Sequence, residues 1–281
     1  MGPFDTLLAR VERGVLHLTL NQPTSRNAMS LRMVAELRAA LAQAESTAGP
    51  QRLRVVVLRG AGGTFCSGGD LKDMAAARLT PATGEADPLV TISRAFGELC
   101  AAFSRTPLAT VAVLEGAVMG GGFGLACAVD VALASDTVKL RLPEVERGIV
   151  PAQIAPFLVE RLGSSQARRL ALTAASVDAA EALRLGLVHQ VASAADLDAA
   201  LDRVLHALLS AAPDAVAATK ALMAEGKLRP PAEMVERAAA VFAAAARSAE
   251  AAEGMTAFLQ KRSPSWAPEP PTPPTPPTPP T

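Results

Sequence analysis

The segment ATVAVLEGAVMGGGFGLACAVD, Ala109–Asp130, narrows the possible folds more than any other. An apolar, strand-like run passes into Gly120-Gly121-Gly122 and then into a stretch of small apolar residues that reads as a helix. The design occurs twice. LRVVVLRGAGGTFCSGGDLKDM, Leu53–Met74, runs from a buried strand ending at Gly60 into the turn Ser67-Gly68-Gly69-Asp70 and a short helix. Upstream, GVLHLTL (Gly14–Leu20) alternates as a strand, and Ser30–Ala44 places Leu31, Val34, Leu37 and Leu41 at helical spacing behind an N-cap serine. Strands alternating with helices predict an α/β architecture in which helices cover a sheet.

A strand that ends in glycines before a helix leaves backbone N–H groups free at the helix N-terminus, where the dipole also favours negative charge. Two such turns aimed at one point would make an oxyanion hole for an enolate or tetrahedral oxygen, each donor worth about 10²–10³ in rate. The alternative is that glycine only permits two tight strand-to-helix turns. Neither turn matches GxxxxGK[ST], so a phosphate-gripping loop is not indicated.

Composition removes several other classes of function. Lys+Arg and Asp+Glu are both 27, so no global basic field draws the chain to nucleic acid or to an anionic membrane. No run reaches the ~18 apolar residues of a membrane span, and the N-terminus lacks a signal-peptide core. Cys66, Cys100 and Cys127 are scattered, as are the three histidines, which predicts reduced thiols, no bound metal and a cytoplasmic protein.

Leu79–Pro88 reads as a surface loop beside an entrance. After about Ser193 the chain becomes alanine-rich, with helices expected at Asp196–Leu209, Asp214–Ala224, Ala232–Ala246 and Ala249–Lys261. Their apolar stripes need cover from the first domain or from a second copy. The end, APEPPTPPTPPTPPT, reads as a disordered polyproline II tail. The expected organisation is a core over residues 1–195, a helical region over 196–262 and a tail over 263–281.

FCSGGDLKDM, EGAVMGGGFGLACAVDVALAS, LPEVERGIVP, ALRLGLVHQV and EGMTAFLQKRSPSW, in that order, resemble the enoyl-CoA hydratase/isomerase (crotonase) superfamily from about residue 5 to residue 266. The resemblance implies a crotonase-like ββα spiral with a C-terminal helical region that assembles trimers or hexamers. It implies an acyl-CoA thioester substrate, with coenzyme A part of that substrate and no separate cofactor. The N–H groups of Gly69 and Gly121 would hold the thioester oxygen. The backbone from Gly68 through Gly69, Asp70 and Leu71 to Lys72 would run beside the coenzyme A, with Arg26 near its phosphates. Phe242 and Lys261 match positions that meet its adenine and phosphate end, partly from a neighbouring subunit.

Family hydratases with two glutamates carry one of them two residues after the GGG; here that position is Gly124. The second matches Glu144, behind Pro143. One carboxylate leaves three accounts open: hydration through Glu144 alone, double-bond isomerisation, or acyl-CoA binding without turnover. Without the resemblance, Glu144 would be a surface carboxylate paired with Arg147. Gly124 would either enlarge the pocket wall for a branched or carboxylated C3 substituent or serve helix packing. GIVPAQIAPF and the residues after it resemble members that hydrate branched glutaconyl-CoA esters of the 3-methylglutaconyl or isohexenylglutaconyl type, which also have glycine at the first position.

Overall fold

The computed structural model describes residues 3–49, 52–80 and 87–268. The chain enters as a hairpin. Strands β1 (Leu7–Glu12) and β2 (Val15–Leu20) pair antiparallel, Glu12 opposite Val15. The two turn residues, Arg13 and Gly14, both have positive φ (48° and 77°), as a two-residue hairpin turn matched to strand twist requires. Parallel strands follow: β3 (Val55–Gly60), β4 (Ala109–Leu114), β6 (Val131–Ser135) and β9 (Gln190–Ala192), giving the order β1-β2-β3-β4-β6-β9. Beside this sheet runs a smaller one, β5 (Ala117–Met119), β7 (Lys139–Arg141) and β8 (Val177–Asp178), in the order β5-β7-β8.

Because side chains alternate along a strand, the large sheet feeds two cores. Leu16, Leu18, Val56, Leu58, Ala112 and Leu114 point to one face, where they meet helices α1 (Leu31–Glu45), α3 (Pro88–Arg105) and α4 (Gly121–Ala128). Val15, Val55, Val57, Val111, Val113 and Leu133 point to the other, which helix α7 (Leu197–Ser210) covers with Leu197, Leu201, Leu205 and Leu209. The core therefore continues past the boundary expected at residue 195, because the back of the sheet needs α7. Ser30 caps α1 as expected, its Oγ accepting the Met33 N–H at 3.2 Å.

Three further helices flank the site: the short α2 (Leu71–Leu79) and α6 (Ala179–Leu185), and the longer α5 (Ala155–Thr173, broken at Gly163). Beyond α7 lie α8 (Pro213–Gly226), α9 (Val235–Ala246) and α10 (Ala249–Leu259), close to the ranges read from the sequence. Helices α8 and α9 bury no residue, and Phe242, Met255, Phe258 and Leu259 are exposed. Most of the loop expected at Leu79–Pro88, and the tail after residue 268, lie outside the described residues.

Candidate active site

The two glycine turns lie side by side because their flanks pair. The Cys66 N–H donates to the Ala117 carbonyl at 3.0 Å and the Met119 N–H to the Cys66 carbonyl at 2.9 Å. A second bridge uses the Met29 N–H on the Gly68 carbonyl (2.8 Å) and the Asp70 N–H on the Met29 carbonyl (3.1 Å). That register spends the groups on either side of Gly69 and turns the Gly69 N–H away from the pairing. Gly121 opens α4, so its N–H is one of the orphan donors of a helix start. Neither N–H has an acceptor among the described residues, and both glycines line one cavity.

Each glycine around position 121 answers a different demand. Gly120 has φ +47°, a conformation side-chain-bearing residues rarely adopt, and a Cβ there would sit 2.8 Å from Glu144 Oε1. Gly122 packs against Cys66, whose Cβ would lie 2.6 Å from an added Cβ. Cys66 itself is buried, and desolvation pushes its thiol up to about 11, which makes it a packing residue and not a nucleophile.

Glu144 begins a 3-10 turn, Glu144–Arg147, directly behind the buried Pro143, and both residues line the cavity. Burial raises the Glu144 carboxyl above the ordinary glutamate range, opposed by its own backbone N–H and by the Arg147 charge. Its Oε2 is buried with no hydrogen-bond partner among the described residues. The ion pair with Arg147 does not form: Arg141 instead pairs with Glu146, and Arg147 stays exposed at the cavity rim. A partly desolvated carboxylate with a free oxygen is suited to taking and returning a proton.

The cavity, about 210 Å³, is mostly apolar. Its far wall comes from α3 (Ile92, Ser93, Phe96) and from the segment Ile149–Ile154. Here the pocket-wall expectation for Gly124 is corrected: Gly124 is buried behind the wall and does not line the cavity. A Cβ on it would meet Ile154 Cγ1 at 2.9 Å and Phe96 Cζ at 3.1 Å, so those two side chains already fill the space the glycine opens. Phe96 and Ile154 thus pack on the face of α4 where Gly124 carries no side chain.

On the opposite rim, Asp70 caps α2 by accepting the Lys72 N–H at 2.7 Å, and Leu71 is an exposed lining residue. The Lys72 side chain and Arg26 are exposed and do not line the cavity. Arg26 is tied in through its backbone, its carbonyl accepting the Ser67 N–H at 3.0 Å. The residue that sequence reasoning missed here is Asn27. It is wholly buried at φ +56°; its Nδ2 donates to the Ala61 and Thr64 carbonyls (2.9 and 2.7 Å) and its Oδ1 accepts the Gln22 N–H at 2.9 Å. That amide fixes the loop before α1 onto the Ala61–Thr64 turn after β3, which leads into Gly68 and Gly69. The only available signal was an asparagine next to a Pro-Thr-Ser turn.

Phe242 and Lys261 are not brought to this cavity within one chain. Phe242 is 75% exposed on α9 and lines a separate apolar groove with Val241, Met255 and Trp266; Lys261 follows α10 on the surface. Among the described residues no group of three or more His, Cys, Asp or Glu is placed to hold a metal, and no helix is long and apolar enough to cross a membrane.

A spiral of strand–turn–helix units that delivers two backbone N–H groups and one desolvated carboxylate to an apolar cavity is the outline of a site for anionic carbonyl chemistry. The chain belongs to the enoyl-CoA hydratase/isomerase family, whose model matches residues 10–269. Among solved structures it is similar to Pseudomonas aeruginosa AtuE (51% identity, TM-score 0.89, covering 94% of this chain and 100% of that one). It is also similar to an enoyl-CoA hydratase/isomerase from Marinobacter aquaeolei (48% identity, TM-score 0.89, covering 94% and 99%). A probable enoyl-CoA hydratase, echA8 of Mycobacterium bovis, is 31% identical over 272 residues, covering 94% of this chain and 98% of the relative. The fold is the crotonase-like spiral that the sequence motifs implied.

Proposed function

We propose that the protein adds water across the 2,3 double bond of an enoyl-CoA, and that the acyl group is a branched glutaconyl ester. The observation that carries the reading is the cavity itself: the unengaged N–H groups of Gly69 and Gly121 and the unpartnered, buried Oε2 of Glu144 share it. The thioester oxygen accepts from both N–H groups. The Glu144 carboxylate takes a proton from water, the water oxygen bonds to C3, and the electron pair of the double bond moves onto the thioester oxygen as an enolate. Glu144 then returns its proton to C2 as the enolate collapses, so one water is gained and the enzyme is unchanged. The oxyanion donors stabilise the charge where it develops; the single carboxylate supplies the acid–base factor of about 10²–10⁴.

In this reading coenzyme A enters as part of the substrate along Gly68–Lys72, with Arg26 at its phosphates. The exposed apolar faces of α8–α10 support assembly into a trimer or hexamer, which would let Phe242 and Lys261 reach a neighbour's coenzyme A. A cytoplasmic location suits the three buried free thiols. The branched glutaconyl class rests on the GIVPAQIAPF resemblance and on the glycine at 124, where no second carboxylate stands.

Mass spectrometry of products formed in heavy-oxygen water from a panel of enoyl-CoA esters, 3-methylglutaconyl-CoA included, tests the proposal. The expected product is heavier by one labelled water and is lost in Glu144→Gln. An unlabelled product with a displaced double bond would make the protein an isomerase. Tight binding without turnover on every ester would make it an acyl-CoA-binding protein.

A further inference from the structure

Most polar side chains around the cavity are already engaged. Asp70 holds the Lys72 N–H, Asp73 holds the Leu31 N–H at 2.7 Å, and the Ser67 hydroxyl donates to the Ser25 carbonyl at 3.0 Å. Ser93 and Gln153 differ. They stand together on the otherwise apolar far wall, Gln153 Nε2 donating to Ser93 Oγ at 3.1 Å across 60 residues of sequence. This bond leaves the Ser93 hydroxyl proton, the second carboxamide proton and the carboxamide oxygen with no partner among the described residues.

The chain makes room for this pair. Gly97 lies one helical turn after Ser93 on α3, and a Cβ there would sit 2.7 Å from the carboxamide carbon of Gln153. The flanking residues fix the location. Phe96 and Ile154, neighbours of the pair on the same two segments, are the side chains that close over Gly124. The pair therefore neighbours the position where Gly124 stands without a carboxylate. Neutral donors can hold an anion there without placing a fixed cation against the general base.

We infer that Ser93 and Gln153 recognise a carboxylate carried by the acyl group and so set the preference for a diacid ester. The inference rests on the hydratase reading above and names the residues that would select its substrate class. A hydrogen bond to a charged group, once removed, lowers kcat/KM by on the order of 10- to 100-fold. The effect is confined to substrates that carry the group, because only they leave it unpaired.

The test compares 3-methylglutaconyl-CoA with 3-methylcrotonyl-CoA, which share the C3 methyl branch and differ in the distal carboxylate. Wild type is expected to favour the diacid. Gln153→Leu and Ser93→Ala are expected to lose that preference by the factor above, while 3-methylcrotonyl-CoA hydration stays within about threefold. Gln153→Glu keeps the shape, adds a charge and should reverse the preference. Gly97→Ala keeps both polar residues and improves helix propensity, yet should displace the carboxamide and weaken the preference.

Wild type favouring the diacid while all four variants retain that preference would overturn the pair's role and leave the substrate class intact. Equal losses on both esters would overturn it too, since they mark a general packing or water-handling role. Selective loss in Arg147→Gln alone would place the carboxylate at the rim and refute the inference. Wild type with no preference for the diacid would refute the substrate class and the inference together.

Discussion

The two walls of the cavity are built on opposite principles. On one side, the turns at Gly68–Gly69 and Gly120–Gly121 offer backbone and no side chain. On the other, α3 and Ile149–Ile154 offer side chains: Phe96, Ile154, Ser93 and Gln153. Backbone N–H groups are set by φ/ψ and sheet register, so they can be placed rigidly and shared by many acyl groups. Side chains can be exchanged without touching that frame. The chemistry common to a family sits on the first kind of wall and selection between substrates on the second.

Variants can break this division in order of expected effect. The largest belongs to Glu144, the one carboxylate between the walls with a free, buried oxygen among the described residues. Glu144→Gln should lower turnover by about 10²–10⁴ while leaving acyl-CoA affinity nearly unchanged, as isothermal titration with a saturated acyl-CoA would show. The same residue fixes the sign of the pH dependence. Its carboxyl is raised above the usual value, about 4.3, because burial disfavours its charge. As pH falls through that raised value the base is protonated and kcat/KM drops, so the acidic limb should lie above the normal glutamate range. Stability moves the other way, since protonation in the same window relieves the cost of a buried charge. A limb at an ordinary glutamate pKa would show that Glu144 is solvated during turnover.

Next comes the backbone wall. Gly120→Ala introduces a Cβ at φ +47° and 2.8 Å from the Glu144 carboxylate. It should cost about 1–3 kcal/mol of stability and reduce turnover by on the order of tenfold or more through displacement of the base. Thermal melting and steady-state rates would show whether both losses occur together.

Asn27→Ala should cost about 1–3 kcal/mol, because the Gln22 N–H and the Ala61 and Thr64 carbonyls lose a buried partner. Chemical denaturation measures this directly, and a rise in KM for every ester alike would mark loosening of the Gly68–Gly69 turn. The smallest effect is expected at Gly124. Gly124→Ala regains helix propensity, about 1 kcal/mol, but pushes against Ile154 and Phe96. Net stability should therefore change by less than about 1.5 kcal/mol, with the ester preference altered more than the maximal rate. An unchanged preference would show that the recess and the selective wall are uncoupled.

The division between walls also explains what could be read from the sequence. Glycine clusters after apolar runs announce strand–turn–helix units, and both turns, α1 and the C-terminal helices were legible on that basis. The pairing that brings the turns together, Cys66 with Val118, depends on register between distant segments and has no local signature. β5, β7 and β8 are only two or three residues long, too short for an alternating pattern. Asn27, Ser93 and Gln153 were missed for the same reason. A single polar residue in a loop or helix looks solvent-facing until a partner far along the chain makes it internal. Gly124 shows the converse: its position was legible, but what fills the space beside it came from Phe96 and Ile154.

Helix α4 carries no charged residue, and all but its first residue are buried. Its C-terminal carbonyls are met by one guanidinium, Arg161, which donates to Cys127 O at 3.0 Å and to Val129 O. Mobile ions have little access to the length of such a helix, so the potential at its Gly121 end is hardly screened. Exposed cations such as Arg26 are screened. Raising ionic strength should therefore weaken capture of a polyanionic ester at the surface while leaving the committed step nearly untouched, separating arrival from reaction by salt alone.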